Sequence, residues 1–129
     1  MKKSKYHSRK ITRDGMTFDS IKEYRRFREL RLLEKAGAIH DLKTQVKFEL
    51  IPAQYEEIPT GKYYVRGERK GQPKMKRVCI EESVCYYADF VYTENGNQVV
   101  EDAKGFRTAE YKIKKKMLLY FHGIKINEV

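Results

Sequence analysis

Two aspartates and a lysine lie on either side of the clearest turn signal in this chain. The dipeptide Asn95-Gly96 separates two segments rich in β-branched and aromatic residues, a pattern that predicts a β-hairpin with a two-residue loop. If those two residues form the loop, antiparallel pairing places Asp89 directly opposite Asp102. Lys104 lies two residues further along the strand, so it shares their face of the sheet.

Two opposed carboxylates on one sheet face repel each other, because their Cβ atoms are only about 5 Å apart. A divalent cation would turn this repulsion into a binding site, and Mg²⁺ commonly takes one or two carboxylates together with phosphate and water. The register sends Glu101 to the other face, opposite Phe90, which favours Asp102 as the ligand. A one-residue bulge would reverse that choice, and an exposed hairpin with an incidental salt bridge is the structural alternative.

The order Asp89, spacer, Glu101-Asp102-Ala103-Lys104 resembles the PD-(D/E)xK signature of restriction-endonuclease-like nucleases. Over most of residues 12–120 the chain is also similar to a phage-borne family known mainly as a domain of unknown function. The resemblance implies an α/β fold with an αβββαβ core, in which helices flank a central mixed sheet. It also implies Mg²⁺-dependent cleavage of DNA phosphodiester bonds, with Mn²⁺ as a substitute, and Asp89, Asp102 and the Ala103 carbonyl as metal ligands. Lys104 would orient or help to deprotonate the attacking water, or stabilise charge.

Two further polar residues enter through the same resemblance. A Glu on the first helix often joins the metal site of these nucleases, and the matching residue is Glu23. Ser20-Ile21-Lys22-Glu23 is also a capping box, so Glu23 could instead bond to the Ser20 backbone amide. Gln45 matches a polar position near the site, although a single Gln at the start of a strand is equally compatible with a structural role.

The elements that must position these residues follow from hydrophobic periodicity. Apolar residues recur at helical spacing before Gly37 and again before Gly123, and they alternate in the strand that Pro52 ends. The predicted order is helix 20–36, strand 45–51, strand 84–92, strand 98–104, helix 108–121 and strand 124–129. Residues 52–82 form an excursion of undefined shape, with strand-like pieces at 62–66 and 76–80. We therefore expect a basic flexible arm at 1–13 and one domain at 14–129.

The charge balance favours a polyanionic partner. The chain has 28 Lys and Arg against 18 acidic residues, a formal net charge of +10. DNA is the expected partner, and RNA stays open. The second helix carries Lys112, Lys115 and Lys116, which we expect to hold a phosphate backbone unless they only form a solvated face. In the excursion, aromatic and cationic residues interleave and could stack on unpaired bases or belong to a core: Tyr63, Tyr64, Arg66, Arg69 and Lys70.

Other features narrow the class of protein. No apolar stretch approaches the ~18 residues of a membrane-spanning helix and no signal peptide is evident, so a cytoplasmic protein without membrane contact is expected, in the host cell if phage-encoded. Cys79 and Cys85 lack the paired spacing of a disulfide framework or zinc site.

Resemblance to Holliday-junction resolvases suggests branched or structured DNA, and symmetric cutting would favour a homodimer. Two alternatives stay open: a non-catalytic nucleic-acid-binding protein on a nuclease fold, and an interaction module of a phage replication or packaging complex.

Overall fold

The computed structural model describes residues 10–129. In chain order the elements are β1 (Ile11–Arg13), β2 (Met16–Phe18), α1 (Ile21–Lys35), β3 (His40–Ile51), β4 (Gln54–Tyr63), β5 (Pro73–Glu81), β6 (Val84–Glu94), β7 (Asn97–Asp102), α2 (Ala109–His122) and β8 (Asn127–Glu128). Contacts divide the chain into two compact units, one comprising residues 10–48 and 86–129 of the described chain and the other Glu49–Cys85. The second unit contains the whole excursion expected at 52–82.

A small hairpin precedes the first helix and overlaps the end of the segment expected to be a basic arm. Strands β1 and β2 pair antiparallel around Asp14 and Gly15, whose φ values of 53° and 76° are those of a tight two-residue turn. Phe18 anchors the hairpin, because it is buried against the ring of Phe27 at 5.1 Å between centroids. Residues 11–13 are therefore part of a strand, whereas the rest of the arm lies almost entirely outside the described residues.

Helix α1 begins and ends where the sequence indicates. The Ser20 side chain accepts the backbone N–H of Glu23 at 3.1 Å, which caps the helix N-terminus. At the other end Gly37 adopts a left-handed φ of 78°, and its N–H donates to the Glu34 carbonyl. Leu30 is completely buried, so one face of this helix belongs to the core.

The first unit is built on a mixed sheet with the strand order β3-β6-β7-β8. Strands β6 and β7 are antiparallel, whereas β7 and β8 are parallel. Asn95 and Gly96 form the loop between β6 and β7 with φ values of 51° and 79°, and Phe90 lies opposite Glu101, as predicted. This register, continued by one residue, brings Asp89 and Asp102 together.

The core of this unit lies between α1 and the sheet. Its buried cluster consists of Leu30, Ile39, Phe90, Tyr92 and Ala103. Helix α2 has a left-handed C-cap at Gly123, with φ of 67°, and contributes the buried residues Tyr111 and Leu118. The chain thus forms a mixed α/β fold with a mixed multistranded sheet and two helices. No helix within residues 10–129 is long and apolar enough to cross a membrane.

The second unit consists of the two-stranded antiparallel sheet of β4 and β5. The expected piece at 76–80 lies within β5, whereas the piece expected at 62–66 overlaps β4 only at its first two residues, because β4 ends at Tyr63. Pro59 and Gly61 interrupt the alternation of apolar residues in β4, and the pairing shifts register between Pro59 and Tyr63. A proline is tolerated there because each strand of a two-stranded sheet has an open edge.

Candidate active site

Three buried carboxylates from three different elements of the first unit are close enough to interact electrostatically. Glu23 comes from α1, Asp89 from β6 and Asp102 from β7, and their exposed fractions are 4%, 1% and 0%. Lys104 follows β7 and lies 3.6 Å from Asp89, measured from Nζ to Oδ1. Buried acidic side chains are rare unless they are paired or bind a metal, so this group requires a chemical explanation.

Asp89 is the centre of the group. Its Oδ2 accepts the backbone N–H of Ala103 at 2.9 Å, which ties the carboxylate of β6 to the chain directly after β7. Its Oδ1 accepts the side-chain amide of Gln45 at 3.2 Å and faces the Lys104 ammonium. These donors supply the hydrogen bonds that a buried carboxylate needs.

Asp102 is fixed by its own set of donors. Its Oδ2 accepts the Tyr86 hydroxyl at 2.8 Å, and its Oδ1 accepts the backbone N–H of Lys104 at 3.1 Å. Burial and, after it, the charge of Asp89 raise the pKa of Asp102. Burial and the neighbouring Asp102 also raise the pKa of Tyr86, so its hydroxyl remains a proton donor. The Tyr86 ring packs against Tyr111 of α2 at 6.2 Å between centroids.

Glu23 takes part in the site as well as in the start of the helix. Its backbone N–H completes the Ser20 cap, but its carboxylate does not bond to the Ser20 amide. Instead, Oε2 accepts the Asp19 N–H and Oε1 accepts the Gln45 amide, both at 3.2 Å. Burial, followed by the charge of Asp89, raises the pKa of Glu23 to about 7. A carboxyl with this pKa is poised to gain or lose a proton near neutral pH.

Gln45 bridges the carboxylates from the solvent side. Its Nε2 donates to Glu23 and to Asp89, although the residue itself is exposed. Its φ of 50° lies in the left-handed region within β3, which is an uncommon conformation for a residue with a side chain. Such strain is often found at functional sites. The sequence placed Gln45 near the site only through the resemblance, and no local pattern signals its backbone conformation.

The electrostatic environment of Lys104 bears on the two roles expected of it. Burial lowers the pKa of the ammonium, but the nearby carboxylates, Asp89 and Asp102 foremost, outweigh burial and raise it. Lys104 is therefore positively charged at neutral pH. The surroundings favour stabilisation of negative charge over proton abstraction by this side chain.

Glu101, the neighbour of Asp102, serves a different purpose. Its two carboxylate oxygens accept Nε and Nη2 of Arg26, each at 2.8 Å, and it also accepts the Tyr92 hydroxyl. This two-bond pair links α1 to β7, and Glu101 is completely buried. Both carboxylate oxygens of Glu101 are thus bound to Arg26. Of the two neighbouring acids, Asp102 is the one whose carboxylate lies near Asp89.

The donor set consists of carboxylate and amide groups, which suit a hard cation such as Mg²⁺. In the part of the chain that the structure describes, no three His, Cys, Asp or Glu side chains converge as a ready-made metal cluster. The Gln45 side-chain nitrogen lies between Glu23 and Asp89 and donates to both, so an amide group separates these two carboxylates.

A basic groove lies beside α2. It has a volume of about 470 Å³, and its lining is rich in cationic residues: Arg107, Lys112, Lys115, Lys116 and Lys125. The three lysines expected to contact nucleic acid thus share one groove. Glu128 also lines it, where its carboxylate binds Arg107, Lys115 and the Tyr111 hydroxyl. Because Tyr111 also packs on Tyr86, the groove adjoins the residues that hold Asp102.

Comparison with known protein families gives a match over nearly the whole chain. The model of the family described as Protein of unknown function (DUF1064) matches residues 3–127. No curated protein and no solved structure matches the chain. The match covers nearly the whole sequence, including both helices and all the residues of the acidic group. The chain therefore belongs to the family described as Protein of unknown function (DUF1064).

Proposed function

We propose that this protein is a metal-dependent endonuclease of the restriction-endonuclease-like kind, which hydrolyses phosphodiester bonds in DNA. One observation carries the proposal: the buried carboxylates of Glu23, Asp89 and Asp102 all interact electrostatically with one ammonium, that of Lys104, which lies 3.6 Å from Asp89. Burial, followed by the charge of Asp89, raises the pKa values of Glu23 and Asp102, and such a cost to stability is typical of a site kept for chemistry.

The residues present fit a Mg²⁺ ion by the nature of their donors. Asp89, Asp102 and the Ala103 carbonyl would hold it, and Glu23 would join once the Gln45 amide turns aside. When bound, Mg²⁺ supplies positive charge that orients a water molecule and stabilises the transition state of phosphodiester hydrolysis. Lys104 adds a second positive charge on the same side, which favours binding of the scissile phosphate.

The remaining residues of the site position these groups. Tyr86 fixes one oxygen of Asp102, and the backbone N–H of Ala103 fixes one oxygen of Asp89. On the opposite side of β7, the Arg26–Glu101 pair anchors the strand to α1. Such anchoring limits the motion of reacting groups, and preorganised charge is a major source of catalysis.

The groove beside α2 supports nucleic acid as the substrate. Five Lys and Arg side chains line it against a single carboxylate, that of Glu128. Contacts from Lys and Arg to phosphates provide affinity and register without reading base sequence. A non-catalytic nucleic-acid-binding protein is the second candidate, and the Gln45 amide between Glu23 and Asp89 is the observation that favours it.

A cleavage assay separates these two functions. The protein, purified with a chelator, is incubated with linear, flap and four-way-junction DNA in the presence of Mg²⁺, of Mn²⁺ or of EDTA. We expect cutting only with a metal, and loss of nearly all cutting in Asp102→Asn with DNA binding retained. Glu94→Gln is the matched control, because Glu94 is an exposed acid at the turn end of the same hairpin. Absence of cutting on every substrate would favour the binding protein, and cutting in EDTA would overturn the metal mechanism.

A further inference from the structure

Charge is strongly segregated along the β4–β5 hairpin. Residues 62–77, here called the distal segment, include the loop and contain seven Lys and Arg but a single acidic residue, Glu68. The remainder of the second unit, residues 49–61 and 78–85, contains five acidic residues and no Lys or Arg. Solubility alone does not require that the positive and negative charges of a hairpin be separated in this way. A concentrated patch of one sign instead attracts a ligand of the opposite sign.

Three of the seven cations of the distal segment pack on aromatic rings without being neutralised. Arg69 and Lys74 lie over the Tyr64 ring at 5.8 and 5.3 Å from its centroid, and Arg77 lies over Tyr55 at 3.8 Å. Within residues 10–129, none of the ion pairs involves a cation of the distal segment. Contact with an aromatic ring restricts the side chain and leaves its charge available to an anion.

The loop that carries these residues has a defined backbone. Tyr64 and Gln72 are joined by a hydrogen bond of 3.0 Å from N–H to carbonyl, and the Gly71 N–H donates to the Tyr64 carbonyl at 2.8 Å. Gly71 has a φ of 85°, which the tight return of the chain requires. A preformed loop loses less conformational entropy on binding than a flexible one does.

Two side chains where β4 leads into this loop are presented to solvent. Tyr63 is 60% exposed and Val65 is 75% exposed, although both are large enough to bury considerable area. An exposed tyrosine among cations is the usual arrangement for stacking on an unpaired base while the cations contact phosphates. Paired bases offer no free face to such a ring within a duplex, so the arrangement favours single strands.

We propose that the distal segment is a binding site for single-stranded nucleic acid, with Tyr63 as the stacking residue and Arg66, Arg69 and Lys70 as phosphate contacts. The site would give the chain a preference for DNA that contains unpaired nucleotides, such as flaps and junctions. The proposal rests on the proposed function only for the choice of nucleic acid as ligand, since it requires no cleavage. An anionic lipid surface is the rival, but Val65 and Met75 are the only aliphatic residues of the segment.

Binding is measured on the full-length chain carrying Asp102→Asn, in EDTA, so that hydrolysis cannot affect the result. The probes are a fluorescein-labelled oligo(dT) of about 20 nucleotides and a duplex of the same length, with anisotropy as the readout. Tyr63→Ala should weaken oligo(dT) binding about 5- to 100-fold and leave duplex binding nearly unchanged. The double variant Arg66→Gln/Lys70→Gln should reduce the slope of log affinity against log salt by about 1.4, since each lost contact to a single strand contributes about 0.7.

The control is Lys35→Gln/Lys43→Gln, which removes two exposed cations of the first unit. Thermal melts confirm that each variant folds, and Tyr63 is exposed enough that its truncation leaves the hairpin intact. Equal losses in the control and in the distal variants would overturn the proposal, because they would reflect net charge alone. Unchanged oligo(dT) binding in Tyr63→Ala would overturn it as well. The proposal would also be overturned if the distal variants lost binding to phosphatidylserine vesicles but kept their binding to oligo(dT). Since these measurements are made without metal, a failed cleavage assay leaves their outcome unaffected.

Discussion

Replacement of Glu23 by glutamine should stabilise the metal-free protein at alkaline pH and slightly destabilise it at acidic pH. In the folded protein, burial and the charge of Asp89 raise the pKa of Glu23 from 4.5 to about 7. This difference corresponds to about 3 kcal/mol of unfavourable free energy for the ionised side chain, because each pKa unit is worth about 1.4 kcal/mol. Glutamine has the same shape and carries no charge.

The sign of the effect depends on pH. A carboxyl whose pKa is raised by folding stabilises the folded state below the unfolded pKa of 4.5, and that contribution is lost as the pH rises through about 7. The variant lacks this dependence, but it has one acceptor oxygen for the two donors from Asp19 and Gln45. Loss of one such hydrogen bond costs about 1 kcal/mol. The variant should therefore be about 2 kcal/mol more stable than the wild type near pH 8.5 and about 1 kcal/mol less stable near pH 4, below the unfolded pKa.

Urea unfolding in EDTA, followed by far-UV circular dichroism, measures both values, since the chain has no tryptophan to report its unfolding. Glu94→Gln is the control, because it removes an exposed charge and should shift the curves little at either pH. The same experiment with Mg²⁺ added should stabilise the wild type more than Glu23→Gln if Glu23 contributes to metal binding. A variant that is less stable than the wild type by the same amount at both pH values would refute the reasoning, because Glu23 would then carry no repulsion.

Further predictions concern the groove and the anchoring pair. Glu128→Gln should raise the affinity for duplex DNA several-fold, because it frees Arg107 and Lys115 to bind phosphates. The control Glu110→Gln, on the exposed face of α2, should change the affinity little, and equal gains in both variants would show a simple effect of net charge. Arg26→Met should lower the free energy of unfolding by about 3 kcal/mol, because it leaves the Glu101 carboxylate buried without its partner; a loss below about 1 kcal/mol in urea titrations would contradict the importance of this pair.

The parts of the fold that the sequence predicts well are those determined by short-range chemistry. The Asn95-Gly96 turn fixes the pairing of β6 with β7, because both of its residues must adopt positive φ. Ser20 and Gly37 mark the ends of α1 for similar reasons. The hairpin of β1 and β2 has an equally local signal in Asp14-Gly15, and the basic residues before it obscured that signal.

The surroundings of the carboxylates were not predictable, because they depend on residues far apart in the chain. The Arg26–Glu101 pair joins residues 75 positions apart, and no local motif connects the two positions. The bond from Tyr86 to Asp102 likewise depends on how β6 meets β7 beyond the predicted hairpin register. Strand β4 was missed because Pro59 and Gly61 are unusual in strands, and only the pairing with β5 compensates for them.

The position of Gln45 has a consequence for how the protein would acquire a metal. Its amide already satisfies one oxygen each of Glu23 and Asp89, so the acidic group does not depend on a cation in order to fold. An entering ion would have to displace this internal donor, and its apparent affinity would be reduced by the free energy of the two hydrogen bonds lost. Metal binding would then be a reversible exchange with the Gln45 amide in a protein that is already folded. A substitution at this solvent-exposed position would change the metal affinity and leave the carboxylates in place.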